Sequence, residues 1–207
     1  LNDFSRAEKE CTFVLGTNEL ISMAHYCIAE NLAAQNKYTE AIPAYVRALA
    51  FREKAPLVRL AFSRALLKKG NVENALIQLT QTASEAVDRP NILLNVAQEF
   101  QALGQHQSVI DTYTKLIKNH PKHFLSRLKF GRFLMKTSLA SEAIVHFEKA
   151  NQIRPTSIKP VLSLLNWAFQ QDKKNLALKY LKLSEEYLLA TRIISPSYFL
   201  ALWITEA

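Results

Sequence analysis

The chain has 207 residues, 49% of them hydrophobic and 21% charged, with a formal net charge of +8 and a sequence pI near 9.5. That balance excludes a disordered chain, and no apolar run approaches the roughly 18 residues that a membrane-spanning helix requires. Four glycines in all leave no glycine-rich phosphate cradle, and no nucleophile-elbow or zinc-protease spacing occurs, so enzymatic activity is not expected.

The first residues carry Asp3, Arg6, Glu8, Lys9 and Glu10 through what a signal peptide would keep apolar. Residues 3–19, with Ala7, Cys11 and Val14, instead have the spacing of an amphipathic helix. Ala7 also opens a series: Ala41, Ala75, Val109, Ala143 and Ala177 follow at steps of 34 without a slip. Four residues after the small residue come Tyr45, Leu79, Tyr113, Phe147 and Leu181. Upstream of it lies a second apolar set at helical spacing: Ile28 with Leu32, Phe62 with Leu66, Val96 with Phe100, Phe130 with Leu134, Leu164 with Ala168. Two amphipathic stretches per period make each unit a helical hairpin.

Punctuation follows the same period. Gly70 and Gly104 fall where the first helix of a unit must turn into the second, and Asn36, Asn71 and Ser138 serve comparable turns. Pro121 and Pro155 close second helices. Ala29, Ser63, Ala97 and Gly131 in first helices stand opposite Ala41, Ala75, Val109 and Ala143, a placement that lets two helix axes approach closely. Residues 195–206, with Tyr198 and Leu202, continue the register as one more first helix.

The pattern resembles the tetratricopeptide repeat, with its small–aromatic–small signature in Ala41, Tyr45 and Ala48 and most fully in Gly131, Leu134, Ala143, Phe147, Ala150 and Pro155. The resemblance implies an all-α, right-handed superhelical array of antiparallel helix pairs. It covers essentially the whole chain as a single array: a half-repeat over 1–19, repeats over about 22–55, 56–89, 90–123, 124–157 and 158–191, and a C-terminal helix over about 195–206. Arg59 and Arg127 depart from it, standing where the family has a bulky apolar residue, and Leu165 stands where it has a small one. Because the chain begins and stops in mid-repeat, and because Tyr198, Phe199, Leu200, Leu202, Trp203 and Ile204 are apolar, a segment of a longer protein is expected.

Candidate chemistry outside the repeat is sparse. Cys11 and Cys27 fall on consecutive helices, where a bridge is conceivable but not required, and reduced, packed thiols are the expectation. His120 and His123 flank Pro121 without a third ligand, and carboxylates such as Asp88, Glu185 and Glu186 are scattered over solvated faces, so neither metal nor cofactor is expected. A soluble protein is expected, with the cytoplasm and the periplasm both open.

Function is then expected in a surface. In the family, first helices line an extended concave groove that receives a peptide or a partner helix. Its columns here are Glu30, Arg64, Gln98, Arg132 and Asn166; Cys27, Ala61, Asn95, Lys129 and Ser163; and an apolar set of Tyr26, Leu60, Leu94, Leu128 and Leu162. Lys129, Arg132 and Lys136 share one helix face, as do Arg64 and Lys68. Two basic clusters bridged by Asn95 and Gln98 suit an acidic, extended protein segment. The carboxylate clamp of chaperone-binding members maps onto Arg64, Asn95 and Lys129 but meets Leu60 and Leu125 at its other two positions, so that function is not carried over. The alternatives are a nucleic-acid-binding repeat and a structural spacer in an envelope or secretion assembly. The first would use the stretch from Lys115 to Lys136, where Phe124, Phe130 and Phe133 interleave with cations and acids are absent between Asp111 and Glu142.

Overall fold

A computed structural model describes residues 18–191 apart from Ser138. The expected N-terminal half-repeat at Ala7, Cys11 and Val14, the turn at Ser138 and the C-terminal helix at Tyr198 and Leu202 lie outside the described residues. Within them are ten α-helices: α1 (Asn18–Ala34), α2 (Tyr38–Phe51), α3 (Pro56–Lys68), α4 (Val72–Glu85), α5 (Pro90–Ala102), α6 (His106–Asn119), α7 (Phe124–Met135), α8 (Ala140–Ile153), α9 (Lys159–Gln170) and α10 (Lys174–Thr191). Consecutive helices pair as α1/α2, α3/α4, α5/α6, α7/α8 and α9/α10. The chain divides into two compact units, Leu1–Asn119 and His120–Ala207. The described part of the first holds three hairpins and that of the second holds two. In each unit the first helices of successive hairpins touch, α1 with α3, α3 with α5, and α7 with α9.

Four hairpin turns use one device. Asn36, Gly70, Gly104 and Asp172 all have positive φ, and all lie on the 34-residue register. One residue further on, the amides of Lys37, Asn71, Gln105 and Lys173 each donate at 2.9 Å to the carbonyl five residues back, closing a Schellman-type helix end. Glycine reaches this conformation without strain, and Asn and Asp are the side chains that best tolerate it. Asp172 was not singled out from sequence, because aspartate is a weaker signal than glycine. Asn71 acts one residue later than expected, as the N-cap of α4, its side chain accepting from the Asn74 amide at 3.3 Å. Pro56, Pro90 and Pro160 sit in the first turn of α3, α5 and α9, where the missing N–H costs nothing.

The core is the repeat itself. Ala41, Ala75, Val109 and Ala143 are fully buried, with Tyr45, Leu79, Tyr113 and Phe147 interlocked one turn later. At Gly131 the approach is close: a Cβ there would lie 2.9 Å from the Phe147 ring. The two arginines at apolar positions are accommodated differently. Arg59 spends its guanidinium on Glu85 (2.8 Å), Gln78 and Gln81 (3.0 Å each) and the Glu53 carbonyl (2.9 Å), so α3 is tied to α4 by a nearly buried polar cluster where other units use packing. Arg127 donates to the Pro121 carbonyl at 2.9 Å. Leu165 is buried in the small-residue position of α9. Cys27 corrects the expectation of reduced thiols: it is disulfide-bonded, and the chain's other cysteine, Cys11, lies outside the described residues.

Candidate functional site

The first-unit surface is built by α1 and α3, with α2 behind them. Tyr26, Glu30 and Ala33 are spaced along one face of α1, and Leu57, Leu60, Ala61, Arg64, Ala65 and Lys68 along one face of α3; together with Tyr38 and Tyr45 of α2 they enclose a cavity of about 230 Å³. Its aromatic floor is continuous with the core. The Tyr45 ring lies 6.3 Å from Tyr26 and 5.9 Å from Phe62, centroid to centroid. The Tyr45 hydroxyl donates to Glu30 Oε1. Burial, followed by that hydrogen bond, pushes the Tyr45 phenol far above its ordinary range, so it remains a donor. The Tyr26 phenol is also raised, mainly by burial and then by Glu30, with Arg64 opposing.

One cation of this surface is met internally. Arg64 Nε lies 2.7 Å from Glu99 Oε1 on α5, an exposed pair of little energetic value that nonetheless holds the guanidinium against the next hairpin. Gln98 is exposed beside it, Asn95 half-buried, and Leu94 buried.

In the second unit the arrangement differs. Arg132 of α7 and Lys136, its C-cap, are exposed and Lys129 is half-buried, and none of the three has an ion-pair partner among the described residues. Neither α7 nor the neighbouring α9 contains an acidic residue. Leu162 is half-buried and Asn166 exposed on α9, while the Ser163 hydroxyl is occupied by the Lys159 carbonyl at 2.9 Å. Behind α7, the His146 ring lies tilted at 50° against Phe130, centroids 4.6 Å apart; burial, aided by Arg127, pushes its imidazole down to about 4. His123 meets Ser126, and its imidazole is lowered by burial and by His120.

No family model matches the chain, and no curated protein matches it. Solved structures do. YrrB, described as a TPR protein with an unusual peptide-binding site, superposes with a TM-score of 0.62 at 14% identity, covering 100% of this chain and 99% of that one. The fold is that of the tetratricopeptide repeat. A crystal structure of MamA gives 0.66 at 17% identity over 84% of this chain and 97% of that one, and MamA from Desulfovibrio magneticus RS-1 gives 0.61 at 12% identity over 82% and 96%.

Within this TPR fold the predicted groove residues divide in two. Tyr26, Glu30, Leu60, Arg64 and Lys68 come together around the first-unit cavity. In the second unit, Lys129, Arg132 and Lys136 are placed along α7, with Leu128 on the same helix and Leu162 and Asn166 on α9. The leucine column is more deeply set than the sequence suggests: Leu60, Leu94 and Leu128 are at most 6% exposed and serve hairpin packing, so that they offer a floor and little contact area. Ala61, predicted in a groove column, does line the cavity, whereas Tyr38, Tyr45, Leu57 and the alanines at 33 and 65 were not among the predicted groove residues, since each reads equally well as core or solvated helix. Glu99 was missed as well: it stands 35 residues after Arg64, one position past the register equivalent, Gln98.

Proposed function

We propose that this chain is a non-enzymatic protein-interaction scaffold whose first helices hold an extended, acidic segment of a partner protein. The row Lys129, Arg132 and Lys136 carries the proposal. Three cations on one face of α7 and its C-cap, unpaired among the described residues and with no carboxylate on α7 or α9, attract anions at long range and form charge-assisted hydrogen bonds on contact. Asn166 adds an amide that can pair with a ligand backbone. Arg64 is a secondary contact, since Glu99 already engages it. The unbroken 34-residue register favours reading both units as one array. The peptide-binding site named for YrrB supports the same general role.

A nucleic-acid partner fits less well. Phe124, Phe130 and Phe133 are buried, and Phe124 is already covered by the Arg154 guanidinium at 4.6 Å, so the basic stretch offers no ring on which a base can stack. Lys115 is committed to the Ala83 carbonyl at 2.8 Å. The test is fluorescence anisotropy with a labelled glutamate-rich peptide and a labelled single-stranded oligonucleotide, each across a salt series. The scaffold binds the peptide more tightly, and Lys129→Glu/Arg132→Glu/Lys136→Glu loses it with unchanged helicity. Stronger oligonucleotide binding with a steep salt slope, or peptide binding that survives the triple reversal, overturns the proposal.

A further inference from the structure

The first-unit cavity has a chemistry unlike that of the α7 row, and we infer that it is an anchor pocket for one neutral aromatic side chain bearing an N–H or O–H, a tryptophan or tyrosine of a partner protein. Size is the first ground. At about 230 Å³ it falls below the roughly 300–1,000 Å³ of small-molecule sites and suits a single large side chain. The space exists because Ala33, Ala61 and Ala65 stand where larger residues would close it, with Leu57, half exposed, at its edge. Its ring surfaces, Tyr26, Tyr38 and Tyr45, favour an aromatic guest in offset or edge-on contact.

Charge is the second ground. Four charged groups bear on the cavity: Glu30, Arg64 and Lys68 line it, and Glu99 pairs with Arg64. Two acids and two bases leave no net charge, so neither a cation nor an anion is favoured, which separates this pocket from the acid-seeking α7 row. Glu30, Arg64 and Lys68 are exposed at the mouth of the cavity. Glu30 Oε1 takes the Tyr45 hydroxyl, while Oε2 has no partner among the described residues. An indole N–H or a phenol O–H on the guest can replace water at that acceptor, as amphipathic aromatics do in interface pockets.

The inference does not rest on the acidic-segment proposal, and its test reads different residues. N-acetyl-tryptophanamide, N-acetyl-phenylalaninamide and N-acetyl-lysinamide are titrated into the full chain while the methyl resonances of Ala33, Ala61 and Ala65 are followed by NMR. The tryptophan amide gives saturable shifts with a Kd on the order of 1–10 mM. The phenylalanine amide, lacking the donor, binds about fivefold more weakly, and the lysine amide gives no saturable shift. Glu30→Met, which removes the acceptor, narrows the gap between the tryptophan and phenylalanine affinities, and Ala61→Leu or Ala33→Leu abolishes both with unchanged helicity. Should a filling variant not fold, the order of the three probes on the wild-type chain decides. Absence of saturable tryptophan binding, lysine binding of equal strength, or a preference for tryptophan that is unchanged in Glu30→Met overturns the inference.

Discussion

Gly131→Ala adds one methyl group where α7 packs against Phe147 of α8. The new Cβ would sit 2.9, 3.0 and 3.1 Å from three atoms of the Phe147 ring, distances that real Cβ atoms rarely show. Phe147 is fully buried, so its ring cannot swing into solvent to make room. Overpacking of this kind costs about 1–3 kcal/mol, whereas replacing a mid-helix glycine with alanine returns about 1 kcal/mol of helix propensity. The difference is a net loss of about 0–2 kcal/mol, toward the upper end because three ring atoms are met at once. Gly70→Ala provides a contrast: nothing lies within 4 Å of its added Cβ, and the penalty comes from φ = +77° instead. Urea unfolding followed by circular dichroism separates the two causes, because Phe147→Leu opens space beside residue 131 and does nothing at residue 70. The cost of Gly131→Ala therefore falls in the Phe147→Leu background, while that of Gly70→Ala is unchanged. If Gly131→Ala stabilises the wild-type chain, the small residue at this position is not set by helix approach and the packing account fails.

Arg59→Leu leaves Glu85 without its cation in a nearly buried site, its Oε2 already lacking a hydrogen-bond partner, and is expected to destabilise by about 2–4 kcal/mol. Adding Glu85→Leu should recover most of that loss in a chemical melt; no recovery would show that the arginine acts through its other contacts. His146 titrates near 4 when folded and near 6.5 when unfolded, so the unfolded chain takes up the proton first. Its contribution to stability is complete above pH 6.5 and is lost as pH falls toward 4, and His146→Phe should flatten that part of the profile. An NMR titration giving His146 an ordinary value contradicts it. Cys27 should resist alkylation in denaturant without reductant and react after reduction; labelling before reduction refutes the disulfide.

Much of the fold was legible because a 34-residue register repeats the same packing problem, and each repeat solves it with the same sizes at the same points: small at Ala41 and Ala75, large at Tyr45 and Leu79. The turns were legible where glycine marks them and hidden where Asp172 does the same work. Side-chain commitments were not legible. Arg64 reads as a free groove cation, and only the proximity of α5 reveals Glu99 as its partner. Leu60 and Leu128 share a helix face with groove residues, yet α-helical spacing alone does not say how deeply a neighbouring helix buries that face. The cavity arises from three alanines among tyrosines, and a sequence registers an alanine as helix former before it registers the room that alanine leaves.

The most direct test of the interaction surface is a backbone-amide NMR titration of the whole chain with a glutamate-rich peptide. Binding along the first helices predicts saturable shifts concentrated in residues 128–136 of α7 and 162–166 of α9, weakening as salt rises. Shifts concentrated in α8 and α10, or none at all in α7, would contradict it.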